Sequence, residues 1–141
     1  MLAPPHPRAT TEATVPYMLL IIEPRGQRRE RSEAEGRAAY QAMLESGASL
    51  PARGQLIAAE SLRSDGDGVR VQLRDGRRSL VDGPFSEAKE MIGGFFLVDC
   101  ATRDEAVAIA ARCPAAQWAT VEVRGYGPCY DDHAGAGPQA G

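Results

Sequence analysis

Apolar and polar positions change period several times along this chain, and each change marks an element. Residues 16–23, PYMLLIIE, form a nearly continuous apolar run bounded by Pro16 and Pro24. A run of that length fits a strand covered on both faces or seated at a subunit contact. From Ser32 the spacing becomes helical: Gly36, Ala39, Tyr40, Met43 and Leu44 fall at i, i+3, i+4, i+7 and i+8, one face of a helix. Ser32 and Glu35 form the S-x-x-E capping box in which each side chain satisfies the other residue's backbone N–H. Gly47 sits where a left-handed C-cap belongs. Residues 56–62 read as a second strand, with Glu60 as its polar intruder.

Residues 64–68, SDGDG, are a turn. Their D-x-D-G pattern lacks the remaining ligands and the closing Glu of a calcium loop. Val69, Val71 and Leu73 then alternate with Arg70, Gln72 and Arg74, and Asp75-Gly76 is a strong hairpin turn into residues 78–81. Asp82-Gly83-Pro84-Phe85 is a second turn: Gly83 can take positive φ, Pro84 fixes its own φ, and the Asp82 carboxylate can cap the N–H groups that follow. Residues 86–91 are expected as a short helix, broken by Gly93-Gly94 before residues 95–100 resume as a strand. Thr102 and Glu105 make a second capping box, with Asp104 adding charge to the first turn. Ala106, Ile109, Ala110 and Cys113 continue one helical face until Pro114 stops it, which makes Cys113 a core thiol and not a nucleophile. Residues 120–124 are the last strand.

Without the inserted hairpin and short helix the order is βαββαβ, an α+β chain of ferredoxin-like type. Two helices on one face of a four-stranded sheet leave the other face bare. Apolar runs at residues 17–22 and 95–98 therefore predict a homodimer packed through its sheet faces.

Composition narrows the function classes. With 43% hydrophobic residues, 25% charged residues and a net charge of −3, the 141-residue chain has one domain's worth of core and no basic footprint for direct nucleic-acid binding. Residues 17–22 are too short to span a bilayer, and residues 1–15, with Pro4, Pro5 and Pro7, make no signal-peptide core. The expectation is a cytoplasmic protein with no membrane contact. A flexible extension (1–15), one α+β domain (16–127) and a Gly- and Pro-rich flexible tail (128–141) are expected. Three cysteines without a C-x-x-C, and His6 and His133 both in the tails, argue against a disulfide framework or a zinc site.

Several segments together resemble one family. Tyr17 to Ile21, Asp82-Gly83-Pro84-Phe85 with Glu87, Lys89 and Glu90, Gly93 to Leu97, Asp104-Glu105-Ala106, Pro114 and Val121 to Arg124 are similar to the DGPF-motif branch of the YCII-related family. The resemblance implies a dimeric α+β barrel. Some members are proposed to be enzymes with a His-Asp pair, but this chain has no His between Pro16 and Gly127, so that mechanism does not carry over.

No Walker loop, G-x-G-x-x-G, G-x-S-x-G or H-E-x-x-H occurs, and neither a cofactor nor a metal is expected. The topology can gather Tyr40, Glu60, Asp82, Glu87, Lys89 and Glu90 at one end of the sheet, beside Phe85. Asp82 is the candidate general base, with Tyr40 or Lys89 as its proton partner. Glu60, Phe85, Glu87, Lys89 and Glu90 are candidate ligand contacts. Plainer roles compete throughout: Asp82 as a turn cap, Tyr40 as a core residue with a bonded hydroxyl, Glu87 to Glu90 as a wet surface, and Arg25, Arg28, Arg29 and Arg31, a basic cluster that could bind phosphate, as a solvated loop. Three readings stay open. The first is a cofactor-independent small-molecule enzyme of isomerase, lyase or monooxygenase type with a pocket near the DGPF turn. The second is a ligand-binding or regulatory dimer, which the resemblance links to extracytoplasmic-function sigma factors. The third is a structural dimer with no ligand.

Overall fold

A computed structural model describes residues 13–50 and 55–130, so the expected extensions at 1–15 and 128–141 lie almost wholly outside the described residues. The elements are β1 (Val15–Pro24), α1 (Gln27–Glu30), α2 (Glu33–Ser49), β2 (Leu56–Ser61), β3 (Val69–Arg74), β4 (Arg77–Asp82), β5 (Glu90–Cys100), α3 (Arg103–Arg112) and β6 (Thr120–Gly125). Short 3-10 turns occupy Asp65–Asp67 and Pro114–Gln117. β2, β5, β1 and β6 form an antiparallel sheet in that order, and β3 and β4 stand apart as a two-stranded hairpin. This is the ferredoxin-like α+β fold with an inserted hairpin. Among the described residues no helix is long and apolar enough to cross a membrane.

The apolar run of β1 resolves into two faces. Tyr17, Leu19, Ile21 and Glu23 are buried beneath the helices, while Met18, Leu20 and Ile22 on the other face are half-buried. Leu19 and Val98, fully buried with Cys100, lie in a core completed by Phe96, Leu50, Ala106, Ile109 and Ala110. Each large apolar side chain removed from water in this way contributes about 1.5–3 kcal/mol. The α3 face predicted from spacing packs here, and the Cys113 thiol is buried, which pushes its pKa up by desolvation.

Local chemistry accounts for the element ends. The Ser32–Glu35 capping box forms with both of its bonds. At α3 Thr102 caps the Glu105 N–H as expected, but the Glu105 carboxylate accepts from Ala101 N–H, one residue further back than a capping box requires. Asp75 and Gly76 both take positive φ, 52° and 76°, as a two-residue hairpin turn of type I′ needs.

Four expectations are corrected. Residues 86–91 are not a helix: Ala88 N–H closes a turn on Phe85 C=O, and Glu90 and Met91 already pair with Pro24 and Glu23 of β1. Six residues gain little from helical nucleation, and the sheet edge offers them more bonds. Gly93 and Gly94 do not break the chain but lie inside β5, where the register against β1 shifts between Ile21 and Ile22. Gly47 is no C-cap. It is buried within α2, where a Cβ would meet the Phe96 ring at 3.7 Å, an ordinary contact distance. Gly83 is absent from the positive-φ residues; what it supplies is room, because a Cβ would overlap the Asp65 carbonyl oxygen.

Candidate functional site

The helix α2 meets the sheet at its C-terminal end and stands away from it earlier. Gly47 and Leu50 are buried, whereas Tyr40 and Leu44, two turns and one turn upstream on the same face, remain 54% and 48% exposed. The gap is a cleft of about 480 Å³ between α2, β1 and β5, with Met43, Phe96 and Ile21 among its apolar lining and Trp118 beside them. That volume lies in the range of small-molecule sites, roughly 300–1,000 Å³.

One end of the cleft is ionic. Glu23, 7% exposed at the end of the buried face of β1, accepts from Arg28 Nε at 2.8 Å and Arg28 Nη2 at 3.0 Å. Arg28 also donates to Leu62 C=O at 2.9 Å and Gly93 C=O at 3.3 Å, tying α1 to β5 and to the residue that follows β2. Gly93 makes the pair sterically possible, since a Cβ there would overlap Glu23 Oε1 and lie 2.9 Å from Arg28 Nη2. Nearby, the Arg31 guanidinium carbon is 5.5 Å from the centroid of the Trp118 ring.

A second polar cluster lies at the base of the hairpin. Arg25 and Asp65 form a bidentate ion pair, and Asp65 Oδ2 also accepts from Phe85 N–H at 3.4 Å. Bonding to Arg25 holds the Asp65 carboxyl below the usual carboxylate range, and the same bond raises the Arg25 pKa. Phe85 is buried, and Arg70 from β3 lies over its ring at 3.9 Å. Arg70 also pairs with Glu87 at 3.0 Å. The DGPF turn is therefore an anchor for the hairpin, with a cis peptide at Gly83-Pro84.

The profile of the YCII-related domain matches residues 16–128, which includes all of the strands and helices described above except the first residue of β1. The chain belongs to the YCII-related family. It is also similar to an uncharacterized protein of Rhizobium meliloti (strain 1021), 53% identical over 32 residues, 23% of this chain and 26% of that relative. The chain thus spans about a quarter of the curated relative it matches.

In this YCII-related protein the predicted site residues separate into two places. Tyr40 and Glu60 border the cleft; Asp82, Phe85, Glu87, Lys89 and Glu90 do not. Tyr40 is not the core residue of the plainer reading but a rim residue whose hydroxyl has no hydrogen-bond partner among the described residues. Glu60 pairs with Phe95 and follows Ala59, which packs in the core, so its side chain lies on the face away from the helices and only its backbone side borders the cleft. Asp82 is exposed at the end of β4 and makes no capping bond among the described residues; Asp65 supplies the bond to Phe85 N–H instead. Lys89 contributes its backbone C=O, which accepts from Arg25 N–H at 3.0 Å.

Glu23, Arg28, Arg31 and Trp118 were not among the residues expected to form a site. The available signal was the density of arginines directly after an acidic residue closing an apolar strand. Read as a solvated loop, that cluster divides in the structure: Arg25 and Arg28 are bound to carboxylates, and Arg31 has no carboxylate partner among the described residues.

Proposed function

We propose that this YCII-related protein binds a small organic molecule in the cleft between α2 and the sheet. One observation carries the reading: the apolar face of α2 at Tyr40 and Leu44 stands uncovered above an apolar floor, with an ordered ion pair and an arginine at one end. A core helix would close that gap; a binding site keeps it open. The test is a fragment screen by ligand-observed NMR on the full chain and on Ala39→Trp, which places an indole in the cleft. Fragments that bind the wild type and are lost in Ala39→Trp support the reading. Fragments that bind both proteins equally contradict it.

Two readings of the bound molecule's fate follow. Catalysis of the cofactor-independent isomerase, lyase or monooxygenase kind is favoured by the Tyr40 hydroxyl, which lines the cleft without a partner among the described residues and is available for proton transfer. Binding without turnover, as in a regulatory module working with a sigma factor, is favoured by Glu23, whose two oxygens are both engaged by Arg28. Tyr40→Phe separates them: a catalytic hydroxyl loses turnover and keeps binding. In neither reading does Asp82 act from its place at the hairpin base.

The same proposal includes a cytoplasmic homodimer. Met18, Leu20, Phe95 and Leu97 share the half-buried sheet face, and Val69, Val71, Leu73 and Leu80 share one face of the hairpin at 52%, 60%, 65% and 58% exposure. A second copy covering the sheet faces buries roughly 2,000 Å² or more in total. Sedimentation as a monomer at micromolar concentration would remove this part of the proposal.

A further inference from the structure

The charges around the cleft constrain what can enter it. Its border carries Glu23, Arg28, Arg31 and Glu60. Glu23 and Arg28 cancel as a bidentate pair, and the Glu60 side chain belongs to the opposite face of the sheet. Arg31 remains. It has no carboxylate partner among the described residues, and of its five N–H donors only Nη2 is engaged, at 3.2 Å from Gln27 Oε1. Gln27 in turn donates from Nε2 to Trp118 C=O at 2.7 Å, so one side chain holds the guanidinium and the Trp118 backbone together. The cation is thereby held beside an aromatic ring at the edge of an apolar cleft with the rest of its donor fork unused.

Resting on the small-molecule reading, we propose that the cleft selects organic monocarboxylates, with Arg31 as the residue that recognises the carboxylate. The planar fork of an arginine matches the two oxygens of a carboxylate, while an aromatic or alicyclic body fits against Tyr40, Met43, Phe96 and Trp118. A phosphate monoester carries nearly two charges at neutral pH, and among the described residues the cleft offers it a single cation without a carboxylate partner. The uncompensated charge of the cleft therefore matches a monoanion.

Naphthoate, naphthamide and naphthyl phosphate share one body and differ in the head group, so calorimetric titration of each into the full chain reads the head group alone. The expected result is preference for naphthoate over naphthamide by about tenfold or more, from a charge-assisted bidentate contact. Arg31→Gln should erase that preference, with a thermal melt close to that of the wild type showing that the variant is folded. Arg31→Lys should restore part of it. Equal binding of naphthoate and naphthamide to the wild type, both lost in Ala39→Trp, overturns the carboxylate inference and leaves the binding reading intact. Tightest binding of naphthyl phosphate overturns it in favour of a phosphate ester. No binding of any of the three overturns the inferred class, and the fragment screen then judges the cleft independently.

Discussion

Replacing Gly93 by alanine tests whether the ion pair at the cleft depends on the missing side chain. The new Cβ overlaps Glu23 Oε1 and approaches Arg28 Nη2 to 2.9 Å. Both are ends of flexible side chains, so the strand need not move, and the cost is that of displacing the pair. Breaking a buried pair costs about 3–5 kcal/mol. Here the Glu23 side chain is 9% exposed but Arg28 is 33% exposed, so water reaches one partner and the lower end applies, about 3 kcal/mol. In a domain of this size that lowers the Tm by roughly 10 °C.

Urea unfolding of Gly93→Ala, Glu23→Ala and the double variant measures the cause as well as the size. Glu23→Ala alone should cost about 2 kcal/mol, since it leaves a partly solvated Arg28 unpaired. If the carboxylate is what Gly93 accommodates, the double variant should cost about 3 kcal/mol, well short of the sum, a coupling of about 2 kcal/mol. Additivity within about 0.5 kcal/mol would refute the reasoning and place the cost of Gly93→Ala in the backbone of the bulge.

The remaining predictions concern the hairpin base. Gly83→Ala should lower stability by about 2 kcal/mol or more in thermal melts, because its Cβ meets the Asp65 backbone carbonyl, which cannot swing aside. Asp82→Ala should change stability by less than about 0.5 kcal/mol, since an exposed carboxylate without a hydrogen bond among the described residues caps nothing; a larger loss would restore the capping role. Asp65 has a folded-state pKa below its unfolded value, so its contribution is present above about pH 4 and is lost as pH falls through the depressed folded pKa. The stability difference between wild type and Asp65→Asn should therefore be largest near neutral pH and shrink in acid, and a difference that stays constant in acid would contradict the pairing. Phe85→Ala should raise amide exchange in β3 and β4 far more than in β1 and β5; uniform loss of protection would mean that the ring supports the whole core.

Much of the fold was legible because its signals are local. The two helix N-termini, the Asp75-Gly76 turn and the α3 face each depend on residues within one or two turns of each other. The site was harder to read because it depends on residues brought together by pairing. Glycine shows why: Gly93 looks like a break by position, yet it supplies space for something distant, the Glu23 carboxylate. Asp65 and Phe85 are bonded across an intervening hairpin, so the capping oxygen was assigned to Asp82, the nearer carboxylate in sequence. Tyr40 followed a helical spacing that predicts a buried face, but spacing says nothing about how far a helix stands from its sheet.

The DGPF turn and the cleft divide the work of the chain between them. A hairpin whose twelve residues are all exposed has no core of its own and would sway about its base if nothing held it. Its orientation is set by contacts that converge on Phe85: the Asp65 carboxylate on its N–H, Arg70 over its ring, and Gly68 and Gly83 close beneath it. Arg25 completes the set by fixing Asp65 to the end of β1, the strand that also carries Glu23 into the cleft. Arg25 lies just beyond β1 and Arg28 within α1, so one short segment ties the hairpin on one side and closes the cleft on the other. The residues of the Asp82-Gly83-Pro84-Phe85 string thus hold the hairpin, while the arginines that border the cleft belong to no motif.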